Sequence, residues 1–287
     1  MAQELNAYIE AVLGPAKVIA DRSWAHGKSL VLEVLDGHGV VWFVKQHRDL
    51  SWYRSELFAY RRWVPALGAR APVLRACDDD LRSLVLSAVP GESADWRHQA
   101  VHREAGVVLR RLHDAESIGR WEDLAADKQE ELERWAAGAG GLLTGRELGF
   151  ARSQLRALEH LAAPVRVPCH LDYTPRNWLV AGRRVGVVDF EEAAPDVWIN
   201  DLGRLYFGWW RNPLASGQTV PAGADLQEAF LDGYGRHPTD EELFLLRACY
   251  ALTAVRLVVL ARQLHQVRQE AAVRAVLGEL MTKTYGG

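Results

Sequence analysis

His170 to Asn177 reads H-L-D-Y-T-P-R-N, and Val187-Val188-Asp189-Phe190-Glu191 follows a short way on. A His-x-Asp with an asparagine five places beyond the aspartate, then an apolar run ending in Asp-Phe, supplies the side chains that phosphoryl transfer needs. That chemistry asks little covalent work of a protein. It needs one carboxylate to orient the attacking hydroxyl and accept its proton, and oxygen ligands for magnesium on the phosphates. Asp172 suits the first role. Asn177 and Asp189 suit the second, because a hard cation takes amide and carboxylate oxygens. Leu179-Val180 and Arg184–Val188 read as two short strands around Ala181-Gly182-Arg183, a hairpin whose arms would bring Asn177 and Asp189 together. Two other readings stay open: a loop with a capping histidine and a solvated aspartate, and a hydrolase metal site from His170, Asp172 and Asp189. No second histidine has ligand spacing for the latter.

The elements that would hold a nucleotide lie upstream. Leu30–Leu35 and Val40–Lys45 alternate as strands joined by Asp36-Gly37-His38-Gly39. Lys45 ends an otherwise apolar strand, where a charge needs a partner. Glu56 lies eleven residues on, in a segment whose Leu57, Tyr60 and Val64 recur at helical spacing. A strand lysine paired with a helix glutamate can hold the α- and β-phosphates of a nucleotide. Ser23–Ser29 (S-W-A-H-G-K-S) would cover the phosphates, with Gly27 permitting close backbone approach and Ser29 and Lys28 assisting. A plain hairpin turn fits that stretch equally well.

Taken together, these motifs resemble the aminoglycoside phosphotransferase and choline-kinase-like family, small-molecule relatives of protein kinases. The resemblance rests on H-L-D-Y-T-P-R-N, on V-V-D-F-E-E-A and the following N-D-L-G-R-L, and on the strand lysine. Leu84–Gly91 (L-V-L-S-A-V-P-G) and Val107–His113 (V-V-L-R-R-L-H) add to it. It implies an α+β, two-lobed protein-kinase-like fold with Mg²⁺ and ATP or GTP as donor. Residues 1–86 would form a small antiparallel sheet lobe with one helix, 87–91 a hinge, and 92–287 a larger helical lobe. An adenine would pair with backbone around Ser87 and Val89. Arg176 departs from the family pattern, standing where many members place glycine; its guanidinium can reach phosphate or a neighbouring carboxylate.

The strand and helix signals divide the chain at the same place. Strands read over Ala16–Ala20 and Leu84–Leu86, with a helix at Ser51–Val64. Beyond Pro90-Gly91 helical stripes take over, among them Val101–Leu112, Leu155–Leu161, Asn200–Trp210, Phe230–Tyr234 and Glu241–Gln269. Thr239 to Glu242 reads as a capping box. Gly138–Gly149 and Pro213–Gly223 read as loops. His170 is expected to bond backbone near the Asp-Phe segment, and Asp201 to cap a helix and brace the loop.

The 287 residues carry a net charge of −3 and no Lys/Arg-rich run, which argues against a nucleic-acid partner. The apolar stretch Ala248–Ala261 contains Arg256 and is too short to span a bilayer, so a buried helix is expected. Three scattered cysteines fit neither a disulfide framework nor a zinc site, and the cytoplasm is the expected compartment. From Gly186 to Leu246 eleven Asp/Glu face three Lys/Arg. After the metal and capping roles are set aside, Glu191, Glu192, Asp196, Asp225, Glu228 and Asp232 remain. A solvated acidic surface is one reading of these. The other is a patch, with Glu191, Glu192 and Asp196 nearest the site, that concentrates a cationic acceptor. The sequence thus points to O-phosphorylation of a small, cationic, hydroxylated molecule, first an antibiotic of aminoglycoside or basic peptide type. A metabolic kinase for choline, ethanolamine, an amino acid or an amino sugar is the alternative, and a nucleotide-binding regulator without turnover the third.

Overall fold

The structure, a computed structural model, describes residues 2–24, 28–93, 98–217 and 223–282. The N-terminal part comprises α1 (Ala2–Leu13), β1 (Ala16–Asp21), β2 (Ser29–Asp36), β3 (Val41–His47), α2 (Leu50–Arg62), β4 (Leu74–Asp78) and β5 (Ser83–Ser87). The strands form one antiparallel sheet in the order β1-β2-β3-β5-β4. Period-two alternation gives each strand one apolar face. On one side Val34, Val44 and Val85 pack under Leu5 and Ile9 of α1 and form a small core of their own. Tyr53, Leu57 and Tyr60 of α2 belong instead to the main core. Asp49 caps α2 by accepting from Ser51 N at 2.7 Å, which fixes where the Glu56 helix starts.

The C-terminal part begins with β6 (Glu92–Ser93), α3 (Gln99–His113), β7 (Gly119–Arg120), α4 (Leu124–Gly138), α5 (Gly145–Arg156) and β8 (Val165–Cys169). It continues with β9 (Trp178–Ala181), β10 (Arg184–Val187), β11 (Ala194–Asp196), α6 (Trp198–Ala215), α7 (Ala224–Tyr234), α8 (Asp240–Gln263) and α9 (Val267–Thr282). The fold is therefore α+β, a sheet lobe and a helical lobe arranged as in protein kinases. α8 is apolar around most of its circumference because it lies among α4, α5, α6 and α9. It is long and apolar enough to cross a membrane by length and composition, yet most of that stretch is buried within the protein. α3 and α7 meet at their backbones: a Cβ on Gly106 would stand 2.1 Å from Phe230 O, and one on Gly233 1.8 Å from Arg103 O.

Several element boundaries differ from the sequence reading. α1 and β4 were not anticipated. The helix expected over Glu241–Gln269 is two: α8 stops at Gln263, His265 takes φ of +55°, and α9 begins at Val267. α6 runs longer at both ends than Asn200–Trp210 and carries Pro213 inside it. The Gly138–Gly149 loop shrinks to the few residues between α4 and α5, whose start is a Thr144–Glu147 capping box. The capping box at Thr239–Glu242 is present as expected. Residues 25–27, the centre of the expected phosphate-covering loop, and 218–222 lie outside the described residues.

Candidate active site

The 170–177 loop leaves β8, turns sharply, and enters β9. Leu171 sits at φ +59°, a left-handed conformation that a leucine adopts only when its surroundings enforce it. Asp201, buried near the start of α6, does so. Its carboxylate accepts from His170 N at 2.8 Å and Leu171 N at 2.6 Å, and contacts His113 Nε2 at 3.0 Å. These bonds outweigh the burial that would otherwise raise its pKa, and hold it below the usual carboxylate value. Asp201 is thus a brace; the helix cap itself falls at Val197, with no side-chain bond. His170 is also buried. Its Nδ1 accepts from Asp172 N at 3.3 Å and its Nε2 lies 3.2 Å from Val188 O, an arrangement that a neutral ring protonated on Nε2 satisfies. Both ring nitrogens are spent on backbone, which removes His170 as a metal ligand and ends the hydrolase reading.

Asp172 emerges from this turn with its side chain largely enclosed. Asn177 Nδ2 donates to its Oδ2 at 2.8 Å and to its backbone oxygen at 2.9 Å, and Arg176 forms an ion pair with Oδ2. The short 3-10 turn Pro175–Asn177 places Asn177 below it. β9 and β10 then pair as the expected hairpin, and Val188 N donates to Asn177 O at 3.1 Å, closing its open end. Asp189 follows at once with φ of +70°. The hairpin therefore sets Asn177 and Asp189 side by side at the loop.

Across the crevice Lys45 Nζ meets three carboxylates: Asp189 Oδ1 at 2.5 Å, Glu56 Oε2 at 2.9 Å and Glu191 Oε2 at 3.1 Å. Burial would release its proton, but the three carboxylates prevail and hold the ammonium well above its ordinary value. Glu56 also accepts from Phe190 N at 3.2 Å and lies 2.7 Å from His47 Nε2. The sequence reading missed His47, although it stands two residues after Lys45 on the same face of β3. Glu191 bears the cost of crowding. Burial first, then Asp189 and Glu56, push its pKa up against the pull of Lys45. Three carboxylates against one ammonium leave two negative charges in excess, the charge that one divalent cation would neutralise. The free oxygens offered there, from Asp189 and the Asn177 amide, are the hard donors magnesium takes.

The remaining expected residues fall as follows. Ser29 starts β2 opposite His47. The Ser87 N–H donates to Val73 O, and its hydroxyl accepts from Val73 N at 2.9 Å, so its donor is used within the sheet. Val89 lies against the hairpin, its Cγ1 2.4 Å from where a Cβ on Gly186 would stand. The carboxylates expected to meet an acceptor are differently employed. Glu192 is gripped by Arg256 Nη2 at 2.6 and 2.7 Å, with Lys28 Nζ at 3.8 Å and Arg204 Nη1 at 4.0 Å. Burial would raise its pKa, but Arg256 and Arg204 bring it down to about 2. Asp196 is buried and accepts from Lys128 Nζ at 2.7 Å and Asn200 Nδ2 at 3.0 Å. Asp232 pairs with Arg103 on the surface. Glu192 and Asp196 are thus structural partners of cations from distant helices rather than open carboxylates. A count along the chain could not see those cations.

Loop, hairpin, strand lysine and helix glutamate thus meet in one place. A model of the phosphotransferase enzyme family matches residues 25–252, most of the chain, and the protein belongs to that family. Its members transfer a phosphoryl group to an alcohol of a small molecule, the activity of this chain as an enzyme. No curated protein matches the sequence. Among solved structures it is similar to a choline/ethanolamine kinase family protein from Mesorhizobium loti (18% identity, 99% of this chain and 95% of that one, TM-score 0.70). It is similar also to a thermostable mutant of the aminoglycoside phosphotransferase APH(4)-Ia in ternary complex with AMP-PNP and hygromycin B (14%, 99% of each chain, 0.74). A third is the macrolide 2'-phosphotransferase MphH from Brachybacterium faecium (16%, 100% of each chain, 0.62).

Proposed function

We propose that the chain transfers the γ-phosphoryl group of ATP to a hydroxyl of a small molecule, with Asp172 as the residue that orients the hydroxyl and takes its proton. The observation that carries this reading is the convergence of Asp172 and Asn177 from the 170–177 loop, Asp189 from the end of β10, Lys45 from β3 and Glu56 from α2 on one crevice. The acceptor oxygen forms a bond to the γ-phosphorus, the bond from that phosphorus to the bridging oxygen breaks, and ADP leaves. Lys45, positioned by Glu56, would hold the α- and β-phosphates, and the adenine would pair with backbone near Val89. Asp189 and Asn177 would hold Mg²⁺, which neutralises phosphate charge when bound. The cytoplasm, where ATP and Mg²⁺ are abundant, is the compartment this reading requires.

The acceptor expected from the sequence, a cationic antibiotic, has two supports left. One is Glu191, whose one ion-pair partner among the described residues is Lys45, a cation it shares with Glu56 and Asp189. The other is the fold shared with APH(4)-Ia, which binds hygromycin B. Against it stand the internal pairs of Glu192 and Asp196. ADP release measured with ATP, Mg²⁺ and a panel of aminated, neutral and acidic hydroxylated acceptors tests the reading. Nucleotide binding without turnover on any class would make the chain a regulator, and protection of cells against a drug would separate resistance from metabolism.

A further inference from the structure

Four arginines gather around Asp172. Arg176, Arg204, Arg211 and Arg256 all act on it electrostatically. Arg204 and Arg211 lie seven residues apart on α6, two turns along one face. Gly208 lies between them on that face, and a Cβ there would come 3.9 Å from Thr174 Cγ2, so this face runs directly beneath the loop. Arg256 reaches in from α8.

Asp172, Glu192, Glu131 and Asp189 answer these four cations, but among the described residues only Asp172 and Glu192 come within ion-pair distance of one of the guanidinium groups. Asp172 is held by Arg176, and Glu192 by Arg256. Arg204 approaches Glu192 no closer than 4.0 Å, and its buried Nε has no hydrogen-bond partner. Arg211 donates to the side-chain oxygen of Asn212, at 2.9 and 3.2 Å. Both guanidinium groups are strained by this setting. Burial, then Arg256, lowers Arg204, and burial, then Arg176, brings Arg211 down to about 10. Buried cations of this kind are stabilised by an oxyanion that can meet the guanidinium fork.

A cavity adjoins Arg204 between α4, α6 and α8, its polar lining being Lys128, Glu131, Asn200, Arg204, Thr253 and Arg256 and the rest leucines with Ala248 and Cys249. Its lining comes wholly from the helical lobe. Lys45 and the residues proposed for the nucleotide are absent from it, so an anion held here is not one of the nucleotide phosphates.

We propose that the arginine face of α6 anchors the acceptor: the hydroxylated substrate carries an oxyanion, a carboxylate or a phosphate, bound by Arg204 and Arg211, and that anchor sets its hydroxyl at Asp172. This rests on the phosphotransferase reading of Asp172 and reverses the charge expected of the acceptor from sequence.

The test uses the full-length protein in complex with AMP-PNP and Mg²⁺, so that nucleotide phosphates already occupy Lys45. Sulfate and acetate are titrated against chloride at constant ionic strength, by calorimetry. Glucose, glucosamine, glucuronate and glucose 6-phosphate, which share the 1-, 3- and 4-hydroxyls and differ in charge, are then assayed with ATP. Sulfate or acetate should bind at least tenfold more weakly to R204Q and R211Q than to the native protein, with part of the loss restored in R204K. The anionic sugars should surpass glucose and glucosamine, and glucuronate against glucose 6-phosphate tells carboxylate from phosphate. Equal anion affinity in the native protein and both variants, or preference for glucosamine, overturns the anchor and leaves the phosphotransferase reading intact. Failure to bind AMP-PNP with Mg²⁺ removes that reading, and the anchor with it.

Discussion

Replacing Glu192 by glutamine separates a structural carboxylate from a substrate-binding one. The carboxyl sits near pH 2 in the folded protein against 4.5 ordinarily, burial opposing the ionised form and Arg256 with Arg204 overriding it. A depressed carboxylate contributes stability above its unfolded pKa, and that contribution fades as pH falls toward the folded one. The 2.5-unit difference corresponds to about 3 kcal/mol at neutral pH, falling to about 2 kcal/mol at pH 3.5. The glutamine keeps the volume and loses the charge, so Arg256 and Arg204 are left facing each other in a mostly enclosed site. Urea denaturation should show E192Q less stable by about 3 kcal/mol at pH 7, with a drop in Tm of roughly 5–10 °C. The deficit should narrow by about 1 kcal/mol when both proteins are compared at pH 3.5. Native stability in E192Q would refute the argument, and so would a deficit that stays constant across that range. Either would mean that Glu192 is free for another partner.

Four further outcomes follow from the same geometry. Asp172→Asn should lower turnover by about 10²–10⁴ while nucleotide affinity stays within a few-fold, as single-turnover and binding measurements would show. Asp189→Ala should abolish Mg²⁺-dependent nucleotide binding and Asn177→Ala raise the Mg²⁺ requirement, checked by titrating metal at fixed nucleotide; normal binding in both removes the metal assignment. Asp201→Asn should cost about 2–4 kcal/mol, because one amide cannot accept from His170 and Leu171 and also serve His113, and turnover should fall with it. Gly233→Ala should cost about 3 kcal/mol or more, since its methyl meets the Arg103 carbonyl rather than a side chain that can move; thermal denaturation decides it.

The loop, the hairpin and the Lys45–Glu56 pair were legible because each is a local pattern whose chemistry constrains its spacing. Asp201 and His170 were legible too, as residues whose obvious partners are backbone groups nearby. α1 carries Leu5, Ile9 and Leu13 at helical spacing, but that stripe is short and Gly14-Pro15 ends it, so it does not stand out in the sequence. β4 reads L-R-A-C-D, with charges at two of five positions and a bulge between Leu74 and Ala76, so no alternation announces it. The break between α8 and α9 has neither glycine nor proline; a leucine, a histidine and a glutamine make the turn. The acidic count failed for a different reason. Arg256 lies 64 residues beyond Glu192 and Lys128 lies 68 before Asp196, so their neutralisation is a property of the folded arrangement alone.

The crossing of α3 and α7 has a consequence for the loop. The Tyr173 hydroxyl donates to Ala105 O at 2.7 Å, one residue from Gly106 and its contact with Phe230 O. Where helices meet through side chains, a substitution lets one slide against the other by a rotamer change. Here peptide planes touch with nothing between them to yield. The residue next to Asp172 is therefore moored to a joint between backbones, which side-chain changes elsewhere on α3 and α7 do not loosen.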